Sequence, residues 1–323
     1  MSGFSTSGAQ QHAPLALFRE HALSIGLVMP LLREGQTVPD YAGQLDLAQR
    51  ADAAGFRALW VRDVPLNSAD YPDPIGHLDP WVFLGGLATR TRRVMLVSGA
   101  VVLPLRHPLH IAKAAISVQE LSGGRFVLGL GSGDRPPEYA AFGQDGNARR
   151  ELFRQHWEVV GAAVGLPSHV VPDREADDGT AFYLLPRQQR AVPLLAVGSG
   201  GQSVDWIARH AIGWMTYHRD PATQRDRHSM WRAACERSAP GRFRAFGVAV
   251  RLELSENALE PPTALNLGYR TGAQPLVAIL EEMRAAGVHH VALNITNSQR
   301  PVEEVLDELA QAVLPVFHHG ENA

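Results

Sequence analysis

Short apolar runs and segments of helical spacing alternate along almost the whole chain. The first run, LSIGLVMP at 23–30, has the length of a buried strand and is closed by Pro30. Residues 40–54 follow with apolar positions at Tyr41, Leu45, Ala48, Ala51 and Ala54, and Gly55 marks the stop of a helix. FRALWVRD, 56–63, reads as a second strand ending in Arg62 and Asp63. A loop rich in Pro and Asp, 64–78, leads to a helix from Asp79 to Thr91, and RVMLVSG, 93–99, is a third strand. Residues 107–122 form a helix stopped by Gly123 and Gly124. RFVLGLGSG, 125–133, is a fourth strand running into a glycine-rich turn, and a helix covers 147–165.

The rhythm breaks at 167–190, which holds Pro167, Pro172, Pro186, the acidic run Asp173–Asp178 and the short apolar run AFYLL. We expect an excursion at the barrel mouth there, with a small hairpin. The alternation resumes with PLLAVGSG as strand five and QSVDWIARH as a helix. AIGWMTYH is strand six, and 221–238 is a helix. FRAFGVAVRLEL, 243–254, is strand seven, with polar and apolar residues alternating at its end. A polar, turn-rich connection at 255–271 precedes a helix over 272–286 closed by Gly287. HHVALNIT is strand eight, and the last helix opens at Pro301. Near-continuous apolar strands separated by amphipathic helices predict a parallel sheet covered by helices. Eight regular units favour a closed α/β fold, a (β/α)8 TIM barrel with an insertion around 167–190, over an open doubly wound sheet. The expected organisation is a flexible tail at 1–14 and a single domain over 15–323.

Charge and composition narrow the function classes. With 30 Lys+Arg against 33 Asp+Glu, nothing favours a nucleic-acid or acidic-membrane partner. Cys235 is the only cysteine, so no intrachain disulfide forms, and its setting in WRAACERS suits an inert helix residue. Cys/His spacing suggests no metal site. Lys113 is the only lysine and falls in a helix, which argues against Schiff-base aldolase or isomerase chemistry. The N-terminus lacks a basic region followed by an apolar run, and no apolar stretch reaches bilayer length, so a cytoplasmic location is expected.

In a barrel the loops at the C-terminal strand ends converge on one cavity. Gly131, Ser132 and Gly133 at one strand end, and Gly198, Ser199, Gly200 and Gly201 at another, leave two ends poor in side chains. A flat ligand or a phosphate can approach backbone N–H groups at such places. The second cluster opens a helix, where Ser199 and Ser203 add hydroxyls; tight turn geometry alone is the competing reading. Arg62 beside Asp63 is either a loop-locking ion pair or a cofactor or substrate residue. His107 is either a ring-facing donor or a helix cap. His218, at a strand end, is a candidate proton-exchanging group, and His77 a weaker one. Trp214 and Tyr217 are candidates to line the cavity, although Trp214 also suits the barrel interior.

GAVVLPLRHPLHIAKAAISVQELSGGRFVLGLGSG, 99–133, resembles the bacterial luciferase-like flavin-dependent monooxygenase family. AQRADAAGFRALWVRD, PLLAVGSGGQS and AGVHHVALNIT extend the resemblance from about Leu23 to Phe317. It implies an FMN-using oxygenase that receives reduced flavin from a separate NAD(P)H-dependent reductase and oxidises a small organic substrate, within a homodimer. A cis peptide near Ser98–Gly99 or Gly99–Ala100 is also implied. Ser199, Gly200 and Ser203 would then approach the phosphate, and Ser98, Gly99 and Gly131–Gly133 the ring or ribityl chain. Arg62, His107 and His218 would face the reaction side. A deazaflavin hydride-transfer enzyme is the alternative, and a non-enzymatic flavin-binding barrel a third reading.

Overall fold

The structure, a computed structural model, describes residues 17–318 apart from 34, 35, 37, 74, 171–181 and 297; the expected tail at 1–14 lies outside them. In chain order the elements are β1 (Ser24–Met29), α1 (Tyr41–Ala54), β2 (Ala58–Val61), α2 (Pro80–Arg90), β3 (Met95–Ser98), β4 (Val101–Val102), α3 (Pro108–Leu121), β5 (Phe126–Gly131), α4 (Pro136–Ala141) and α5 (Arg149–Val164). There follow β6 (Leu194–Val197), α6 (Val204–His210), β7 (Gly213–Tyr217), α7 (Pro221–Ser238), β8 (Ala245–Leu254), β9 (Thr263–Leu265), β10 (Gly268–Thr271), α8 (Ala273–Ala285), β11 (His290–Asn294), α9 (Val302–Glu308) and α10 (Leu314–Phe317). A π-helical turn, Leu309–Val313, joins the last two.

Parallel ladders run β1–β2–β3–β5–β6–β7–β8. β11 pairs with both β1 and β8, so eight strands close into a barrel. Side-chain alternation sorts the core into two layers. Ile25, Leu27, Leu59, Leu96, Phe126, Leu128, Phe246 and Val248 pack under the helices. Val28, Trp60, Met95, Val97, Val127, Leu195, Met215 and Ala292 fill the interior.

The helices begin where short polar side chains satisfy otherwise unpaired N–H groups. Asp40, Asp79, Ser203 and Asp220 each accept from a first-turn amide, and Pro80, Pro108 and Pro221 stand at helix starts.

Four features depart from the sequence reading. β4 adds a short strand beside β5, and α4 occupies what reads as loop. The 255–271 connection contains β9 and β10, antiparallel to each other, with β10 extending the sheet along the upper end of β8. The described ends of the 167–190 excursion are not at the mouth. The excursion joins the end of α5 to the start of β6, and both points belong to the N-terminal end of the barrel. Gln188 donates to Gly165, Val192 to Val164, and the Lys113 ammonium on α3 donates to the Leu185 carbonyl. Its described residues contain no strand, and 171–181 lie outside them.

Leu17 and Phe18 close the N-terminal end of the interior, above which a buried hydrogen-bond chain runs. The Trp60 indole, able only to donate, bonds His290 Nε2 at 2.8 Å. The His290 proton is therefore on Nδ1, which donates to Ser24 Oγ at 2.6 Å, and Ser24 donates to the Leu17 carbonyl at 2.6 Å. Two further histidines are fixed as neutral acceptors: His318 Nε2 accepts from Ile25 N, and His289 Nδ1 from Phe246 N. Burial lowers all three, His290 to about 3 and His289 and His318 to about 4. Between those values and the free-histidine value of about 6.5 the unfolded chain binds protons that the native form does not. Unfolding free energy should thus decline as pH falls below about 6.5, by up to ~1.4 kcal/mol per pH unit for each histidine. Urea denaturation across that range measures it, and an unchanged midpoint down to about pH 5 would contradict the neutral burial.

Candidate functional site

The C-terminal ends of β3, β5 and β6 stand side by side on one rim and carry little but backbone. The Gly99–Ala100 peptide is cis, one of the two positions the sequence reading named. A Cβ on Gly99 would come within 2.7 Å of Trp60 Cε3, so the Trp60 ring lies directly against this step. A Cβ on Gly131 would lie 3.1 Å from Ala100 Cβ and 3.2 Å from the Val197 carbonyl. Gly133 has φ +72°, with Val102 close by. These residues make a shelf poor in side chains, with Trp60, Val102 and Val197 packed against it.

The β6 turn continues the shelf outward. Gly198, Gly200 and Gly201 have φ of 70°, 56° and 73°, a region that excludes most side chains. A Cβ on Gly200 would strike the Phe153 ring at 2.7 Å, and one on Gly201 would approach Arg150 at 3.2 Å. The turn is therefore seated on α5, through the Phe153, Trp157 and Trp206 rings and a bond from Gln202 to the Arg150 carbonyl. Ser199 is exposed and accepts from Gly201 N at 3.2 Å, leaving its O–H free to donate. Ser203 caps α6 through Trp206 N. Arg149, Arg150 and Arg154 on α5 are exposed, and none has an acidic partner among the described residues.

Other residues singled out from the sequence are occupied elsewhere. Ser98 is fully buried, and its hydroxyl both donates to and accepts from the Gly129 backbone at 2.9 Å. Ser132 contributes its carbonyl to Tyr139 Oη. Arg62 is held by Asp73 at 2.8 Å and His77 at 3.1 Å, the loop-locking arrangement. Asp73 also meets Arg135; the His77 hydrogen bond and the Arg62 charge keep its carboxyl well below the usual range. His107 is exposed and caps α3 through Leu109 N. Trp214 points outward, against Trp231 and Phe246, rather than lining the cavity or filling the interior. Four residues on, just past β7, His218 shares its outward side and packs on Tyr269, with Nε2 3.0 Å from the phenol oxygen. Burial lowers its pKa, and its recorded side-chain contacts are with Tyr269 rather than with the glycine shelf. Cys235 is equally uninvolved, its thiol pushed up to about 11 by burial.

Residues of β8 passed over in the sequence do reach the rim, beside Tyr217 and Asn294, which the strand ends did indicate. On β8, Ala249, Arg251 and Glu253 are partly exposed while Val248, Val250, Leu252 and Leu254 are buried. The signal was the alternation in GVAVRLEL: polar residues on one side of an otherwise apolar barrel strand belong to a solvated mouth. Asn294 lies beside Arg251 in the β8–β11 register, and Tyr217 beside Ala249 in the β7–β8 register.

Comparison with known proteins decides the lineage. A family model described as luciferase-like monooxygenase matches residues 24–290. The chain belongs to the luciferase-like monooxygenase family. An F420-dependent hydroxymycolic acid dehydrogenase of Mycobacterium tuberculosis is 31% identical over 184 residues, 54% of this chain and 48% of that protein. A 4-hydroxyprotoasukamycin monooxygenase of Streptomyces nodosus subsp. asukaensis is 35% identical over 153 residues, 46% of this chain and 40% of that protein. The chain thus aligns with about half the length of either relative. The crystal structure of monooxygenase RslO1 from Streptomyces bottropensis shares the fold, with a TM-score of 0.72, 21% identity, and coverage of 91% of this chain and 99% of that one. This luciferase-like chain is accordingly an oxidoreductase of the flavin or deazaflavin type.

The loops around the mouth are pinned by charge. Asp63, buried and pushed up by burial against the opposing pull of Arg106, receives two guanidinium bonds from Arg106 and one from Val102 N. Asp63→Ala would leave Arg106 without its main partner and should cost on the order of 3 kcal/mol in chemical denaturation. A loss below about 1 kcal/mol, the range of exposed pairs, would contradict that role.

Proposed function

We propose that this luciferase-like oxidoreductase holds the deazaflavin F420 across its mouth and exchanges a hydride between it and a small organic substrate. The reading is carried by three exposed arginines on α5, of which Arg150 lies beside the Gly198–Gly201 turn and Arg149 and Arg154 share its helix. A single phosphate needs no more than the turn's own amides and hydroxyls. A cofactor whose tail continues beyond the phosphate with further carboxylates suits unpaired guanidinium groups along the next helix. The similarity to an F420-dependent dehydrogenase supports the same choice.

The residues present fit such a group. Gly99, Ala100 and Gly131 offer a ring only backbone and one methyl group, with Trp60 packed against Gly99 as a rigid support. The Ser199 hydroxyl and the Gly198–Gly201 backbone face the place of a phosphate. When bound, the deazaflavin supplies two-electron hydride chemistry; the protein's part is to orient the ring, shield one of its faces and bind the tail. Trp60 keeps that support fixed because His290 fixes its indole.

A second reading has a specific observation behind it. Similarity to 4-hydroxyprotoasukamycin monooxygenase favours reduced FMN and O₂, with a separate NAD(P)H-dependent flavin reductase. Titration of the purified protein separates the two by visible absorbance. The expected result is F420 bound at least about tenfold more tightly than FMN, a gap that closes when Arg149, Arg150 and Arg154 are changed to Gln. Tighter binding of reduced FMN, followed by oxygen consumption with product formation, would establish the monooxygenase reading instead.

A further inference from the structure

We infer that the β7–β8–β11 side of the mouth is a recognition subsite for a small organic acid, with Arg251 as the partner of the carboxylate and Tyr217 as the platform for a flat apolar body. The inference rests on the proposed cofactor reading only in taking the glycine shelf as the cofactor's side.

Around the barrel the strands follow the order β1, β2, β3, β5, β6, β7, β8, β11. β8 and β11 therefore stand across the mouth from β3 and β5, which carry Gly99, Ala100 and Gly131. A second reactant facing a ring on that shelf meets the inward residues of β8 and β11. Arg251 is one of them. Its side chain is 36% exposed, and Nη2 is fixed by Glu253 Oε1 at 2.7 Å, one inward position further along the strand. Glu253 is its only partner among the described side chains; its Nε–H is buried without an acceptor, and Nη1 has no partner. The guanidinium is thus aimed by one contact and keeps its Nη1 donors to spare.

Its neighbours sharpen the chemistry. Asn294, level with Arg251 on β11, has its Oδ1 taken by Thr296 N and Thr296 Oγ1, so its amide N–H groups remain as donors. Two adjacent side chains then present hydrogen-bond donors to the same space. Arg62, the inward cation of β2, is engaged by Asp73 and His77. Tyr217, 53% exposed at the inner end of β7, sits beside Ala249, so its ring and a methyl group adjoin the donors. A planar guanidinium with a free edge matches a carboxylate in two parallel bonds better than it matches a neutral oxygen. An exposed phenol ring beside it takes an aromatic or unsaturated body by offset stacking.

Calorimetric titration of the full chain with benzoate and with its neutral isostere benzamide tests the assignment. Wild type should bind benzoate about tenfold more tightly than benzamide, as expected for a charge-assisted bidentate contact. Arg251→Met should bring benzoate to the benzamide level, Arg251→Lys should restore part of the preference, and Tyr217→Ala should weaken both probes alike. F420 affinity should be the same in Arg251→Met as in wild type, which also reports that the variant is folded. A preference that survives Arg251→Met, or wild type that does not distinguish the probes, would overturn the subsite. Selective benzoate binding by a protein that takes neither F420 nor FMN would overturn the cofactor reading and leave the subsite standing.

Discussion

Closure of the parallel sheet through β11, paired on one side with β1 and on the other with β8, is the constraint on which the rest depends. Until that ladder forms, the strand ends are an open edge and the glycine turns of β3, β5 and β6 have no opposite wall. Once it forms, every C-terminal end shares a rim, and the two-residue side-chain period assigns each residue to lumen or outer layer. A slip of one residue would turn Arg251 into the outer core and expose Val250 in its place. The interior at the N-terminal end is fixed equally firmly, because Trp60, His290, Ser24 and the Leu17 carbonyl form a chain in which each donor has its acceptor.

Rigidity at the mouth comes from buried charge. Asp63 with Arg106, and Asp73 with Arg62 and Arg135, tie the loops after β2 to those after β3 and β5. At the other end Asp52 accepts the amides of Arg92, Arg93 and Val94. The Asp63 and Asp73 clusters brace the mouth loops, and Asp52 the opposite end, without a recorded contact to the glycine shelf. Arg62 takes the loop-locking arrangement that was one of its two sequence readings, held by Asp73 and His77.

The fold was largely legible in the sequence, because buried parallel strands are continuous apolar runs and capped helices announce their ends with Asp, Ser, Pro and Gly. The glycine turns were legible for the same reason. Facing was harder. Trp214 and His218 look like mouth residues by position alone, but their alternation with Met215 and Tyr217 sends them outward. The described ends of the 167–190 excursion lie at the N-terminal end of the barrel, which a loop-like composition does not show but a position between a helix and a strand does. β4, β9 and β10 are too short to leave a periodic signal, and their existence depends on the longer strands beside them. Asn294 was legible as a strand-end residue, and Arg251 and Glu253 were open to inference from alternation, once polar positions are weighed as heavily as apolar ones.

What unites these observations is a division of the mouth: a side-chain-poor shelf and turn on β3, β5 and β6, and a donor-bearing wall on β7, β8 and β11. A crystal structure of the protein with F420 addresses it most directly. The account predicts the ring lying on the Gly99–Ala100 step next to Gly131, with the phosphate at Gly198–Gly201 and the tail along Arg150. A ring lodged against Arg251 and Tyr217, or a phosphate held away from the β6 turn, would contradict it.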